Sequence, residues 1–320
     1  MKKTLIALAT LAAAGAAFAQ SSVTLSGTID VGFEKRWSGD PFAMTGNRNA
    51  TSNWTLSGSE DLGGGLKANF RISTAFNPDT GTAAANVLGD NGTFLELQGG
   101  FGQIRAGRPV HLLWGNVLSA NGTKGVSGHD SLSLLGGNGK NAGATHGVYA
   151  SNAIQYFSPR MSGLQIQVEY APKEVTTGTN GRGIALNYSE GPLALTFTNY
   201  IGATSTVNQK AVNQLAAAYD FGVARVFFTW RDQGGKLSNQ DNSYALGVTA
   251  PVGPGLVYAS YNVNELVGTD ARTVIAGYKY NLSRRTTAYV NVANRNKEWA
   301  PAGAPTKSTS GFGFGLQHNF

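Results

Sequence analysis

The chain has 320 residues and no cysteine, and only 13% of its residues are charged although 41% are hydrophobic and 43 are glycine. The lack of cysteine excludes disulfide scaffolds and thiol chemistry, and an aromatic content of 10% with so little charge is the opposite of a disordered chain. No run of about 18 apolar residues is present, which excludes a helical membrane protein. With a mean hydropathy of −0.16, the apolar residues must follow some other pattern.

The first segment, residues 1–19, is predicted to be a secretory signal peptide. Lys2 and Lys3 form its basic start, a short apolar stretch follows, and Ala17-Phe18-Ala19 has the small-x-small form of a cleavage site. A buried N-terminal helix is the alternative. The mature chain, 20–320, keeps a formal charge of +5 because the removed segment contains no acid. No dense Lys/Arg patch is present, so no nucleic-acid partner is expected.

The mature chain then alternates between apolar and polar residues. From Val23 to Glu34 the odd positions are apolar or glycine and the even positions are almost all polar. Successive side chains of a strand point to opposite faces, so this pattern predicts a strand with one apolar and one polar face. Further segments with the same alternation lie at 164–170, 224–231, 244–249, 257–264 and 312–320.

The connections between these segments alternate in length. Seven short turns rich in glycine and proline separate the two strands of each hairpin. Eight longer polar segments lie near 35–51, 77–91, 109–150, 172–181, 201–212, 233–242, 264–271 and 296–310. The pattern predicts an all-β fold, a 16-stranded antiparallel transmembrane β-barrel with short turns at one end and long loops at the other. A soluble exported sandwich or propeller is the alternative.

Several motifs resemble the Gram-negative general porins, the trimeric sixteen-stranded outer-membrane porins, most of all the β-proteobacterial type. They are the mature start Gln20–Gly27, the turn 58–68 with Glu60-Asp61-Leu62-Gly63, the segment 101–108, Asn281–Thr286 and the terminal Phe320. The resemblance spans the mature chain.

What the resemblance implies is a single barrel domain over 20–320 that forms a water-filled channel in the cell outer membrane, with periplasmic short turns and extracellular long loops. Small hydrophilic solutes and ions would diffuse passively through it, and the third loop, 109–150, would fold inward as a constriction. Further implied partners are two more copies in a homotrimer, outer-membrane lipids and lipopolysaccharide. Phe320 would be the assembly signal for the outer-membrane insertion machinery.

Alternation also predicts which charges face the channel. Basic residues with inward parity are Lys67, Arg71, Arg105, Arg225, Arg231 and Arg295. The inward acids are fewer, and they are Asp30, Glu34, Glu96 and Glu169. The candidate constriction set also contains Arg108, at the start of the longest loop, and Asp130, the only acid in that loop. Inward cations raise the local anion concentration, so we expect an anion-selective pore. Alternatively, these arginines are paired wall residues without net selectivity.

Catalytic motifs are absent: the sequence contains no phosphate-binding loop, no His-Glu-x-x-His and no Gly-x-Ser-x-Gly. No cofactor, metal or enzymatic activity is expected. Two other classes stay open. The first is a hydrolase built on a barrel, for which the one local candidate for a catalytic group is His129 beside Ser127, Asp130 and Ser131. The second is an adhesin or anchor, a barrel that does not conduct ions.

Overall fold

Sixteen long strands account for most of the described chain. The computed structural model describes residues 22–35, 41–85, 87–120, 148–174, 176, 178–202, 211–232, 240–266, 269–295 and 310–320. The predicted signal peptide lies outside these residues. The strands are β1 (Ser22–Lys35), β2 (Asn53–Gly63), β3 (Leu66–Asn77), β4 (Thr93–Gly99), β5 (Gly102–Arg108), β6 (Ala153–Phe157), β7 (Leu164–Ala171), β8 (Gly181–Glu190), β9 (Leu193–Ile201), β10 (Val212–Asp220), β11 (Arg225–Asp232), β12 (Gln240–Val252), β13 (Gly255–Leu266), β14 (Thr269–Asn281), β15 (Thr286–Arg295) and β16 (Ser310–Asn319).

The strands form one closed antiparallel sheet. Each strand pairs with its neighbours in sequence, and β1 pairs with β2 on one side and with β16 on the other. The closing ladder runs from Thr28 opposite Asn319 to Lys35 opposite Phe312. Because the sheet is closed, it has no free edge, and the backbone N–H and C=O groups of its strands can form hydrogen bonds within the sheet. The interior of a membrane requires such pairing because it offers no water to these groups. The predicted sixteen-stranded barrel is therefore confirmed, and the alternative of a soluble sandwich or propeller is wrong.

Two short strands lie in connections that the sequence pattern left irregular. Ala43–Gly46 pairs with the end of β1, where Val31 lies opposite Gly46. Thr82–Ala83 pairs with the end of β3. Both lie at the end of the barrel that carries the long loops, called here the long-loop end.

The two faces of the barrel wall differ in polarity as the alternation predicts. Outward side chains such as Ile184, Leu186 and Phe197 are apolar and exposed. Inward side chains such as Asp30 and Gln214 are polar and buried, with 0% exposure. This is the reverse of a soluble protein, and it matches a barrel with a polar lumen and a lipid-facing surface.

The opposite end, called here the short-turn end, is closed by tight hairpins. In the turn after β2, Gly63, Gly64 and Gly65 have φ values of 84°, 61° and 81°. A side chain at these angles would be strained, so three glycines in a row fit this turn. The Asp61 carboxylate accepts a hydrogen bond from the Gly63 amide at 2.9 Å.

The last residue is part of the barrel seam. The Phe320 amide donates to the Gly27 carbonyl at 3.0 Å, and the Gly27 amide donates to the Phe320 carbonyl at 3.1 Å. The Phe320 ring lies over Gly27, in space that a Cβ at this glycine would occupy. A glycine in β1 therefore makes room for the terminal aromatic ring.

A helix, α1 (Leu112–Ala120), follows β5 inside the region predicted as the third loop. The sequence shows no helical periodicity longer than two turns, so this helix of nine residues was not predicted. Among the described residues, no helix has both the length and the hydrophobicity needed to cross a membrane.

Candidate pore constriction

The first turn of α1 is fixed to the inner wall by a buried carboxylate. The Leu112 amide donates to Glu169 Oε2 at 3.1 Å, and the Gln155 side-chain amide donates to the same oxygen at 2.7 Å. Gln155 Nε2 also donates to the Val110 carbonyl at 2.7 Å. An acceptor at a helix N-terminus satisfies an otherwise unpaired amide and interacts favourably with the helix dipole.

The body of α1 lies against the inner faces of β9 and β10. The Gln214 side-chain amide donates to the Leu113 carbonyl at 3.0 Å, and Asn116 Nδ2 donates to Thr198 Oγ1 at 3.2 Å. Leu113 is 1% exposed and packs with Tyr200 and Val212. The helix is therefore held inside the barrel by both polar and apolar contacts. The described start of the third loop is folded inward, as the resemblance implies.

His111 caps this helix. Its Nδ1 accepts a hydrogen bond from the Trp114 amide at 3.2 Å, and its ring stacks on Tyr200 with centroids 5.1 Å apart. The His111 amide also donates to the Val148 carbonyl at 3.1 Å, which joins the two described ends of the loop. Sequence reasoning gave His111 no structural role because its partners are distant in the chain.

Arg105 is held rigidly on the wall beside this loop. Its Nε and Nη2 donate to Glu96 Oε2 at 3.0 Å and 2.6 Å. Its guanidinium lies over the rings of Phe94 and Phe157, 4.4 Å and 4.7 Å from their centroids. The inward orientation predicted for Arg105 and Glu96 is thus found in the structure. The two charges compensate one another locally.

Arg71 differs from Arg105 because it has no carboxylate partner among the described residues. It is half-buried and interacts electrostatically with Arg105 and Tyr149. No described salt bridge includes it. Arg71 on β3 and Arg105 on β5 lie on the two strands that flank β4. Their like charges raise the positive potential there, and a passing anion would lower the repulsion between them.

Arg108 reaches the same cluster by a different route. Gly107, with φ 138°, precedes it at the end of β5. The Arg108 guanidinium lies 4.8 Å from the centroid of Tyr149 and donates to the Asp90 carbonyl. Burial raises the pKa of Tyr149, so its hydroxyl stays protonated and donates to Asn91 Oδ1 at 2.5 Å. The structure brings Arg71, Arg105, Arg108 and Glu96 together with Tyr149, and we call these five residues the wall cluster.

The other predicted pore residues are spread along the barrel. Lys67 and Arg225 lie beside turns at the short-turn end, where Lys67 is exposed and Arg225 is half-buried. Arg231 is 3% exposed and donates to Gln214 Oε1 from Nε and Nη2 at 3.0 Å and 2.8 Å. Arg295 is buried at the long-loop end. Asp130 and the hydrolase candidate around His129 lie outside the described residues.

Two further inward acids lie on β1, and both are engaged. Asp30 accepts hydrogen bonds from the Ala50 amide at 2.9 Å and from the Tyr289 hydroxyl at 2.7 Å. Glu34 forms a salt bridge of 2.8 Å with Arg48. Sequence reasoning missed Arg48 and Tyr149 because both lie in long connections, where alternation carries no information about orientation. Among the described residues, no group of three acidic or histidine side chains could hold a metal ion.

A closed barrel of sixteen strands, apolar outside and polar inside, with a loop folded into its lumen, defines a transmembrane diffusion channel. A family model described as Gram-negative porin matches residues 4–298, so the chain belongs to the Gram-negative porin family. It is 34% identical to outer membrane porin protein 32 of Delftia acidovorans, with all of both chains covered.

Two solved structures have the same fold. The anion-selective porin from Comamonas acidovorans has a TM-score of 0.77 and 26% identity, with 94% of this chain and 100% of that chain covered. A loop-deletion mutant of OmpT, an outer membrane protein of Vibrio cholerae, has a TM-score of 0.70 and 14% identity over 94% of this chain and 99% of that one. The chain is therefore an outer-membrane porin, a water-filled channel for passive diffusion of small hydrophilic solutes and ions. Its family consists of channels rather than enzymes.

Proposed function

We propose that this porin is anion-selective and that the wall cluster supplies the selectivity. The observation that carries the proposal is the contrast between Arg71 and the described inward acids. Arg71 has no carboxylate partner in the described part of the chain, whereas Glu96 pairs with Arg105 and Glu34 pairs with Arg48. An uncompensated cation on a narrow aqueous path favours anions.

Two other inward acids, Asp30 and Glu169, add little negative potential to the lumen. Asp30 is 0% exposed and accepts hydrogen bonds from two backbone amides and a tyrosine hydroxyl. Glu169 is 1% exposed and faces the N-terminus of α1. Donors at both sites offset the charge of the carboxylate. Lys67, Arg225, Arg231 and Arg295 extend the basic path from one end of the barrel to the other.

The Comamonas acidovorans structure supports the same proposal, since that protein is described as anion-selective. The supporting similarity covers 94% of this chain. We extend the proposal to Asp130, the one acid between 109 and 150, as a residue of the constriction.

The test is the reversal potential of the purified protein in a planar lipid bilayer with unequal KCl concentrations on the two sides. If chloride is the more permeant ion, the reversal potential has the same sign as the equilibrium potential of chloride. A potential near zero would mean that the arginines are compensated, and a potential of the opposite sign would mean cation preference. Either result overturns the proposal.

We further propose that the porin is a homotrimer in contact with outer-membrane lipids and lipopolysaccharide, that residues 1–19 are removed on export, and that the insertion machinery reads Phe320. The short turns are then periplasmic and the long loops extracellular. The position of Phe320 at the seam supports its role, because the last residue completes the pairing of β16 with β1. Cross-linking of the purified protein tests the trimer, and N-terminal sequencing tests the cleavage after Ala19.

A further inference from the structure

A small cavity with two basic side chains in its lining lies on the outer surface of the barrel at its long-loop end. Its volume is about 310 Å³, and it is lined by Lys173, Thr179, Asn180, Arg182 and Ile201, together with Gly178. Arg182 and Ile201 lie opposite each other on β8 and β9. The connection between β7 and β8 supplies the other residues. Arg182 has the same outward parity as Ile184, which is 47% exposed on the lipid-facing surface.

A row of polar residues places this cavity at the edge of the apolar surface. On the outward face beside it, Asn199 Nδ2 donates to Asn213 Oδ1 at 2.7 Å, and Asn213 Nδ2 donates to Asp232 Oδ2 at 3.3 Å. The next outward residues toward the barrel middle are apolar, with Phe197 40% exposed. Hydrogen-bonding side chains on a lipid-facing wall belong at the level of the headgroups. The cavity is therefore at headgroup level.

The lining combines two cations with an unsatisfied hydroxyl. Lys173 and Arg182 are exposed, and Lys173 Nζ donates to the Thr176 carbonyl at 3.0 Å, which fixes its position. Thr179 Oγ1 is buried and has no hydrogen-bond partner among the described residues. The neighbouring carboxylate of Glu174 accepts a hydrogen bond from Asn152 at 2.5 Å. An unpaired buried hydroxyl is costly, and a ligand oxygen would satisfy it.

We propose that this cavity binds a phosphomonoester carried by a lipid of the outer leaflet. Arginine presents a fork of donors that matches a phosphate, and lysine adds a point charge. The lipid-facing position of Arg182 and Ile201 favours a phosphate attached to a lipid over a free one, because the rest of such a ligand lies along the apolar wall. This inference rests on the lipid contact proposed above and is independent of the ion selectivity of the lumen.

The experiment measures binding of diphosphorylated lipid A and of its dephosphorylated form to the mature porin in detergent by native mass spectrometry. The phosphorylated form should bind more tightly. Lys173→Gln combined with Arg182→Gln should weaken its binding by about tenfold, and Thr179→Val, which keeps the shape of the side chain, by about threefold to fivefold. The double variant Arg284→Gln with Arg285→Gln removes two exposed cations at the opposite end and should leave binding unchanged.

Inorganic phosphate at millimolar concentration separates the two sources of the phosphate group. If it displaces lipid A, the cavity takes free phosphate and the assignment to a lipid is overturned. Equal binding of the two lipid A forms, or unchanged binding in both cavity variants, overturns the site itself. Reversal potentials of the same variants should equal that of the unaltered porin, so failure here is distinguishable from failure of the proposed anion selectivity.

Discussion

Replacing Arg71 by glutamine removes the one inward cation of the wall cluster that has neither a carboxylate partner nor a ring contact among the described residues. The side chain keeps a similar length and its hydrogen-bonding capacity, so the change is mainly one of charge. We expect the ratio of chloride to potassium permeability to fall. Arg105 should contribute much less, because Glu96 Oε2 lies 2.6 Å from it.

The size of the effect follows from the Coulomb energy. An inward guanidinium comes within about 6 Å of an ion passing the constriction, and in water a unit charge at that distance contributes about 0.7 kcal/mol. At about 0.1 M salt the Debye length is about 10 Å, which reduces this to about 0.4 kcal/mol. The anion loses this attraction and the cation loses the corresponding repulsion, so the permeability ratio changes by about threefold to fourfold.

The assay is the reversal potential in planar bilayers at low and at high mean salt. Because the Debye length falls to about 3 Å at about 1 M salt, the effect should shrink to less than about 1.5-fold there. Arg272→Gln is the matched control, since it removes the same charge from an exposed outward position beside Asp270. An equal change in Arg71→Gln and Arg272→Gln, or no change in Arg71→Gln at low salt, would refute the reasoning.

Three further changes have defined outcomes. Glu96→Gln should raise the chloride preference by about twofold to fourfold in reversal potentials, because it leaves the charge of Arg105 uncompensated; a lower preference would contradict the pairing. Glu169→Ala removes the acceptor at the N-terminus of α1, so single-channel recordings should show larger and more variable open-channel currents, and an unchanged current would mean that the other contacts suffice. Gly27→Val places atoms where the Phe320 ring lies, at a cost of about 1–3 kcal/mol, so the barrel should lose its heat resistance on gels at a lower temperature than the unaltered porin.

Alternation in the sequence was sufficient to predict the wall of the barrel. In a strand the side-chain period is two, so one correct outward residue fixes the orientation of all others in that strand. Asp30 and Glu169 were placed on polar faces in this way, and they are 0% and 1% exposed inside the barrel. The closed sheet is the only arrangement that gives every such strand two partners in lipid.

Alternation gave no account of the parts whose position depends on distant contacts. The helix α1 is held by Glu169 and Gln214, which lie more than fifty residues away in the chain. Arg108 turns toward Tyr149 after Gly107, whose φ of 138° ends the regular alternation of β5. A local pattern cannot predict either feature, because tertiary partners determine both.

The potential that each inward charge adds to the lumen depends on the groups beside it, because an opposite charge or a hydrogen-bond donor offsets part of that potential. A count of acids from the sequence treats Glu169 as a lumen charge that opposes anion passage. In the structure this carboxylate receives hydrogen bonds from the first amide of α1 and from Gln155, so its charge acts mainly on the helix that narrows the lumen. An acid of the inner wall thus holds the inward-folded helix, while in our proposal Arg71, on a different strand, supplies the uncompensated charge. The number of inward charges alone therefore does not determine the selectivity of this pore, because the pairing of each charge determines how much of its potential an ion in the lumen experiences.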